Sequence, residues 1–257
     1  MVAPFPDLFA QPFDRDLFSE MAERFLPRSH VEFVGIDKSP VEIEDCGPDH
    51  VGSAASFSTS GNGGFFVPGG TPLGELHSDG NVHMTVPFDA PWDSCRSCIA
   101  VSGAAVEIAP RGVLPNQARG DLIQAGPLLV ANGRPVVGID PRDAGVHPRD
   151  PQGFRAGAGQ FDCDITSGRH PRAAFGVSRD RFLAVVCDGR SIKDAGMTLE
   201  ELAQLMTDLG AESAINLCGG ASASLVSGGA LHNRPRDDNG ISMLGGRPVA
   251  SAIVFDR

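Results

Sequence analysis

The chain of 257 residues contains no tyrosine and only one tryptophan, and aromatic residues make up just 6% of it. Glycine and proline are abundant instead, with 32 and 20 residues. Both residue types interrupt helices and occupy turns. This balance argues against a helical bundle and indicates many short strands joined by turns.

Long apolar segments are also absent. No uninterrupted apolar run is long enough to span a bilayer. The N-terminus shows no basic region, no long apolar core and no small-residue cleavage site of the kind that marks a secretory signal. We therefore expect a protein that does not bind membranes and works in the cytoplasm, where its thiols stay reduced.

Basic clusters are missing as well. The formal net charge is −11, and no run of Lys or Arg offsets the general acidity. Such a surface repels the phosphates of nucleic acids and of anionic lipids. Nucleic acid is therefore not expected as a partner, and any phosphate must be bound locally. A homo-oligomer remains open.

Metal-binding spacings are scarce too. None of the 7 histidines forms an HxH or HExxH pattern, which disfavours a zinc hydrolase. Among the 6 cysteines only Cys95 and Cys98 have CxxC spacing, and one such pair alone is weak evidence for a metal or redox site. We predict neither a metal site nor a cofactor.

One helix is well defined by its pattern. Residues 198–201 fit a capping box, apolar residues recur at helical spacing from Leu199 to Leu209, and Gly210 supplies a C-terminal stop. The apolar face predicts a sheet beneath it that contains strands at 182–187 and 213–217. Asp188 and Cys218 directly follow these strands, so the two side chains could be neighbours.

The remaining pattern is mostly β. A short amphipathic helix is predicted at 16–26, and loops rich in polar residues, Gly and Pro are predicted at 140–160 and 234–246. The further predicted strand regions are 31–36, 53–59, 99–108, 122–138, 173–186, 224–232 and 248–254. We therefore expect one α+β domain, spanning 1–257, with a mixed or antiparallel sheet and few helices.

The most informative stretch is residues 214–224, where Cys218 enters a turn rich in glycine and serine. Gly219 and Gly220 let the backbone turn sharply and approach a ligand, and the N–H groups of such a turn can bind an anion. The same pattern also fits an ordinary turn beside a structural thiol.

Several motifs occur in an order that resembles the phosphodiester glycosidase family, to which the mannose-6-phosphate uncovering enzyme belongs. They are Asn62-Gly63-Gly64-Phe65-Phe66, Thr71-Pro72-Leu73-Gly74 with Ser78-Asp79-Gly80, Gln124-Ala125-Gly126-Pro127, His170-Pro171-Arg172, and the run from Gly189 to Ser222. The resemblance covers 53–257 and leaves 1–52 as an N-terminal extension.

The resemblance implies a substrate that is a sugar 1-phosphodiester or a similar phosphorylated glycoconjugate. It implies a substrate pocket that includes Asn62, Gly63, Arg172, Gly219, Gly220 and Ser222. Arginine suits bidentate phosphate binding, so Arg172 is the predicted anion contact. Asp188 is then the best remaining carboxylate for acid–base work.

One departure from the family pattern concerns the chemistry directly. Cys218 stands where the family has Asp, and Ala221 replaces the third glycine of that motif. A thiol cannot do the work of a carboxylate in the usual two-carboxylate cleavage of a glycosidic bond.

Three hypotheses therefore stay open. The chain is a glycosidase that uses other groups, a Cys218-dependent acyl transferase or hydrolase, or a glycan or small-molecule binding protein without activity. In the second, the thiol pKa would be lowered by His170 or His77, and the N–H groups of the glycine turn would form an oxyanion hole.

Overall fold

The computed structural model describes residues 30–37, 41–46, 59–90, 92–115, 120–137 and 168–255. The predicted helix at 16–26, most of the predicted strand at 53–59 and the predicted loop at 140–160 lie outside the described residues.

The described residues form three antiparallel sheets, which confirms the predicted α+β fold with few helices. The strands of sheet I are β1 Val31–Asp37, β9 Leu128–Ala131, β10 Arg134–Pro135, β11 Arg172–Val177, β12 Arg181–Cys187 and β13 Ser213–Asn216. Those of sheet II are β2 Val41–Asp45, β3 Thr59–Asn62, β14 Leu225–Ser227, β15 Ala230–Leu231 and β16 Ser251–Phe255. Those of sheet III are β4 Leu76–Ser78, β5 Asn81–Val82, β6 Ser97–Ser102, β7 Ala105–Pro110 and β8 Asp121–Gln124.

Within each sheet the strands are hydrogen-bonded in a different order from their order along the chain. Sheet I has the order β1-β12-β11-β13-β9-β10, sheet II the order β15-β14-β3-β16-β2, and sheet III the order β5-β4-β8-β6-β7.

Two α-helices are described, the short α1 at Trp92–Cys95 and α2 at Leu199–Asp208. A single turn of 3₁₀ helix comes after each of them, at Arg111–Val113 and at Gly220–Ser222. Helix α2 carries the predicted capping box. The Thr198 hydroxyl accepts a hydrogen bond from Glu201 N at 3.2 Å, and the Glu201 carboxylate accepts one from Thr198 N at 3.0 Å.

Strand β12 shows why sheet I lies in the middle of the molecule. Phe182, Ala184 and Val186 belong to one apolar cluster, whereas Leu183, Val185 and Cys187 belong to another. Successive side chains of a strand point to opposite faces, so both faces of this strand are covered. The first cluster also contains residues of sheets II and III, and the second contains the buried face of α2.

Several predicted strand regions are hairpins rather than single strands. Residues 99–108 fold as β6 and β7, which pair through a turn at Gly103, where φ is +59°. Residues 173–186 fold as β11 and β12, which also pair with each other. Both regions read as continuous β pattern because turns of two and three residues remove too few residues to interrupt the pattern.

The loop predicted at 234–246 is confirmed, with one isolated bridge between Arg236 and Ser242. Within the part of the chain that the structure describes, no helix is both long and apolar enough to cross a bilayer.

Candidate functional site

Three neighbouring strands of sheet I, β11, β12 and β13, place candidate site residues at one edge of the sheet. Strand β11 begins at Arg172, which lies opposite Cys187 at the end of β12. On its other side β11 pairs with β13, whose last residue, Asn216, lies opposite Ala174. In antiparallel neighbours, the start of one strand lies beside the ends of the next. Asp188 and Cys218, which follow β12 and β13, therefore emerge on either side of the start of β11.

Two glycines allow the turns after β12 and β13 to close around Pro171. A Cβ atom on Gly189 would lie 2.8 Å from Pro171 N, and one on Gly219 would lie 2.7 Å from Pro171 O. Gly220 N donates a hydrogen bond to that same Pro171 carbonyl at 2.9 Å. Any side chain at 189 or 219 would push the turns apart, so these glycines set the spacing of the site.

Asp188 is a buried carboxylate with one anchored and one unanchored oxygen. Its side chain is only 1% exposed. The Oδ1 atom accepts hydrogen bonds from Arg234 N at 2.8 Å and from Asn233 Nδ2 at 3.4 Å. The Oδ2 atom has no hydrogen-bond partner among the described residues. Since a buried polar atom without a partner is destabilising, such an atom is typical of a ligand-binding or catalytic position.

Cys218 is held by its backbone rather than by its thiol. Its N–H donates to Gly63 O at 3.1 Å, and its carbonyl accepts from Asn62 Nδ2 at 2.7 Å. Burial raises the pKa of the thiol, although a side-chain hydrogen bond with Ser222 and the charge of Arg247 act in the opposite direction. The thiol is therefore protonated at neutral pH, whereas the acyl-transfer hypothesis expects a lowered pKa.

Most N–H groups of the glycine turn donate to backbone carbonyls and are therefore already used. Besides Cys218 and Gly220, Ser222 N donates to Gly219 O at 3.2 Å and Ala223 N donates to Gly220 O at 3.3 Å. Four donors of the turn are thus used by backbone carbonyls. Together with the raised pKa, these contacts give the thiol-dependent alternative no support.

Asn62 and Gly63 connect strand β3 to the Cys218 turn. Asn62 is 3% exposed, and its Oδ1 atom accepts a hydrogen bond from Ser224 N at 3.0 Å. A Cβ atom on Gly63 would lie 2.6 Å from Ser251 Oγ. The two residues therefore fix the turn in place, and the substrate-binding role predicted for them stays a prediction.

Arg172 lies entirely inside the protein. Its Nε atom donates to Met197 O at 3.0 Å, and Nη2 donates to Gly168 O at 3.2 Å. Burial lowers the pKa of this guanidinium to about 10. These contacts join the start of β11 to the segment before α2, and the anion contact predicted for Arg172 stays a prediction.

The two histidines proposed as partners of the thiol have other described contacts. His170 exchanges backbone hydrogen bonds with Met197, at 3.2 and 3.0 Å. The ring of His77 lies on β4, where Nε2 is 2.9 Å from a carboxylate oxygen of Glu75. The catalytic role of His170 stays a prediction.

Sequence reasoning missed two arginines at the turn. The guanidinium of Arg190 lies against Gly220, with Nη2 3.1 Å from the position that a Cβ atom would take there. The guanidinium of Arg247 lies 4.7 Å from the centre of the Phe66 ring, and its charge reaches the Cys218 thiol. The one available signal was that Arg190 follows Asp188 by two residues, immediately beyond a strand end. In the described part of the chain no group of three His, Cys, Asp or Glu side chains could hold a metal ion.

The fold is a strand-rich domain, and its polar, loop-lined candidate site lies at the edge of sheet I. A family model described as phosphodiester glycosidase matches residues 55–256, and the chain belongs to this family. No curated protein shows a significant match to the chain.

Solved structures share the fold at low sequence identity. The catalytic domain of zebrafish N-acetylglucosamine-1-phosphodiester α-N-acetylglucosaminidase, auto-inhibited by its pro-peptide, is 17% identical with a TM-score of 0.62, over 90% of this chain and 83% of that one. A hypothetical protein from Synechocystis is 19% identical with a TM-score of 0.56, over 89% of this chain and 59% of that one. A protein described as exported, from Burkholderia pseudomallei, is 17% identical with a TM-score of 0.58, over 88% of this chain and 74% of that one.

Proposed function

We propose that this protein hydrolyses the glycosidic bond of a sugar 1-phosphodiester, with Asp188 as its acid–base residue. The observation that carries the proposal is the unpartnered Oδ2 atom of Asp188, buried at the edge where the strand-end turns of a phosphodiester glycosidase fold converge. The zebrafish relative is named for a substrate of this class.

The leaving group of this reaction explains how one carboxylate can suffice. Cleavage of an ordinary glycoside expels an alkoxide, which needs a proton from a second carboxylic acid. Cleavage between the sugar and the phosphate expels a phosphate monoester, whose second pKa is about 6. This group leaves without being protonated, so the remaining task is to activate a water molecule. Asp188 Oδ2 can accept that proton while Oδ1 stays held by Arg234 N.

In this mechanism Cys218 contributes no charged group. A protonated thiol takes the place of the family's carboxylate, and we expect turnover that is slow compared with a site holding both carboxylates. The substitution Cys218→Asp should raise the rate, because it restores the second carboxylate.

The test is an assay of purified variants on an N-acetylglucosamine 1-phosphodiester with a chromogenic ester. We expect Asp188→Asn to lose about 100-fold or more in kcat/KM, the usual range for a lost acid–base residue. Glu107→Gln, which removes an exposed carboxylate on β7, is the matched control, and melting temperatures exclude unfolding.

Three outcomes would contradict the proposal. Full activity in Asp188→Asn would place the acid–base residue elsewhere. No turnover by the wild type or by Cys218→Asp, combined with measurable binding of the intact phosphodiester, would show a binding protein instead. A loss of about 100-fold in Cys218→Ser would revive the thiol-dependent mechanism.

A further inference from the structure

Arg190 has a backbone conformation that side chains rarely adopt. Its φ is +58°, in the left-handed region that is unfavourable for residues other than Gly, Asn and Asp. Gly240 accommodates this conformation, since a Cβ atom there would lie 2.6 Å from Arg190 O. Strained residues persist where the surrounding structure holds them, and they cluster at ligand sites. In this conformation the Arg190 side chain reaches Gly220.

The Arg190 guanidinium is held beside Gly220, where it is partly accessible to solvent. Its Nη1 atom donates to Arg236 O at 3.1 Å, and its side chain is 19% exposed. Gly220 lacks a Cβ atom at the point where the guanidinium approaches it, and its own φ is +62°. Arg190 follows Asp188 by two residues and touches the residue two positions after Cys218. It therefore lies between the two turns that define the site.

The partner of this guanidinium is a carboxylate that solvent surrounds. Arg190 Nη2 lies 2.6 Å from Asp238 Oδ1, yet the Asp238 side chain is 90% exposed. Such exposed pairs contribute little to stability. Arg236, on the loop at 234–246, differs from Arg190. It pairs at 3.2 Å with Asp194, whose side chain is only 15% exposed, and it also donates to Gly189 O. Arg236 therefore stabilises the loop at 234–246. Arg190 instead binds the exposed carboxylate of Asp238, which another anion can replace.

We infer that Arg190 binds the phosphate group of the substrate, and that Asp238 is an internal competitor for this anion site. The inference rests on the proposed function, whose substrate carries one phosphodiester charge. Arginine offers that group a planar pair of donors. Arg247 supplies a second positive charge close to Cys218. Cys218 stands where the family has Asp. Its neutral thiol carries no negative charge that would repel the bound phosphate.

This assignment differs from the one that the sequence predicted, namely Arg172. The Arg172 side chain is fully buried and holds two backbone carbonyls, whereas Arg190 lies at the solvent boundary with a displaceable partner. Binding an anion at Arg172 would require breaking its buried contacts. Binding one at Arg190 requires only that Asp238 move into water.

The experiment measures the affinity of the full chain for inorganic phosphate and for dimethyl phosphate by calorimetry, without any turnover. Asp238→Asn removes the competitor and should tighten binding by about two- to fivefold, the range set by a weak exposed ion pair. Arg190→Gln and Arg190→Lys should weaken binding about tenfold or more. Glu107→Gln changes the net charge as Asp238→Asn does and should tighten binding less than twofold.

Three results would overturn the inference. In the first, Asp238→Asn binds phosphate no more tightly than Glu107→Gln. In the second, Arg190→Gln keeps wild-type affinity. In the third, Arg172→Lys loses phosphate binding while Arg190→Gln retains it. If Arg190→Gln does not fold, the comparison of Asp238→Asn with Glu107→Gln still decides the question.

Because the readout is phosphate binding, failure of the two proposals can be separated. A protein that binds phosphate through Arg190 but cleaves no sugar phosphodiester refutes the proposed reaction alone. A protein that cleaves the substrate, with unaltered KM in the Arg190 and Asp238 variants, refutes the anion site alone.

Discussion

At the scale of single residues, Cys218 differs most from what its position in the family pattern implies. Its backbone is fixed by Gly63 and Asn62, so the turn keeps its shape whatever side chain stands there. The thiol itself hydrogen-bonds with Ser222, and burial raises its pKa. These contacts and the raised pKa give no support to a nucleophilic role of Cys218, and the catalytic role predicted for it stays a prediction.

We predict that Cys218 reacts slowly with iodoacetamide. Because burial raises the pKa of its thiol, the reactive thiolate fraction at pH 7 to 8 is smaller than for an ordinary cysteine. Cys95, at the end of α1, is partly exposed as Cys218 is, and it should be alkylated first. Peptide mass mapping after limiting reagent, at several pH values, measures the order.

The same digest of urea-unfolded protein is the control, since all six cysteines should then react at similar rates. Preferential labelling of Cys218 in the folded protein would show that its thiol is activated.

At the scale of elements, helix α2 links the stability of the domain to the geometry of the site. Its buried face packs on sheet I through Leu199, Leu202, Ala203, Leu205 and Met206. Met197, which directly precedes the capping residue Thr198, accepts the hydrogen bond from Arg172 Nε. The start of the helix therefore also fixes the start of β11, from which the site is built.

The capping box makes a measurable prediction. Thr198→Ala removes the acceptor for Glu201 N and should lower the free energy of unfolding by about 1 kcal/mol. Thr207→Ala is the matched control on the same helix. The Thr207 hydroxyl donates only to Ala203 O, a bond that helices do not need, so this change should stay within about 0.5 kcal/mol.

Urea unfolding of the two variants gives both values. A loss in Thr198→Ala no larger than that in Thr207→Ala would mean that packing alone holds the start of α2.

At the scale of the whole molecule, Asp194 joins three distant segments next to the site. Its carboxylate accepts hydrogen bonds from His30 N at 3.1 Å and from the Ser191 hydroxyl at 2.9 Å, and it pairs with Arg236 at 3.2 Å. Burial alone would raise the pKa of this carboxyl. The hydrogen bonds and the Arg236 charge outweigh burial and hold the pKa below its usual range.

The lowered pKa predicts a pH-dependent contribution to stability. A carboxyl with a depressed pKa stabilises the fold above its unfolded pKa, about 3.9 for Asp, and loses this effect as the pH falls through the folded value. The free energy of unfolding of the wild type should exceed that of Asp194→Asn at pH 7, and the difference should shrink below pH 4.

Urea unfolding at pH 7, 5 and 3 tests this dependence. Asp180→Asn, which removes an exposed carboxylate paired with Arg181, is the control and should produce a smaller difference at pH 7. A difference for Asp194→Asn that stays constant from pH 7 to 3 would show that the charge of this residue does not stabilise the fold.

The sequence by itself determined those features of secondary structure that depend on residues close to one another along the chain. The capping box and apolar spacing of α2 are set within 12 residues of sequence. The positions of Asp188 and Cys218 follow from the ends of apolar strands, and Gly210 marks a helix end through its positive φ. Each of these features comes from local backbone preferences, which the residue types express directly.

Only the tertiary structure shows what surrounds Arg172 and Arg190, and in which direction the pKa of the Cys218 thiol moves. Arg190 reaches Asp238 across the loop, and Arg172 turns inward to backbone carbonyls, although the sequence marked Arg172 as the anion contact. The pKa of Cys218 depends on burial by several elements and on Ser222 and Arg247. Burial and charge pairing depend on many atoms that are distant in sequence. No local sequence pattern therefore shows whether they raise or lower a pKa.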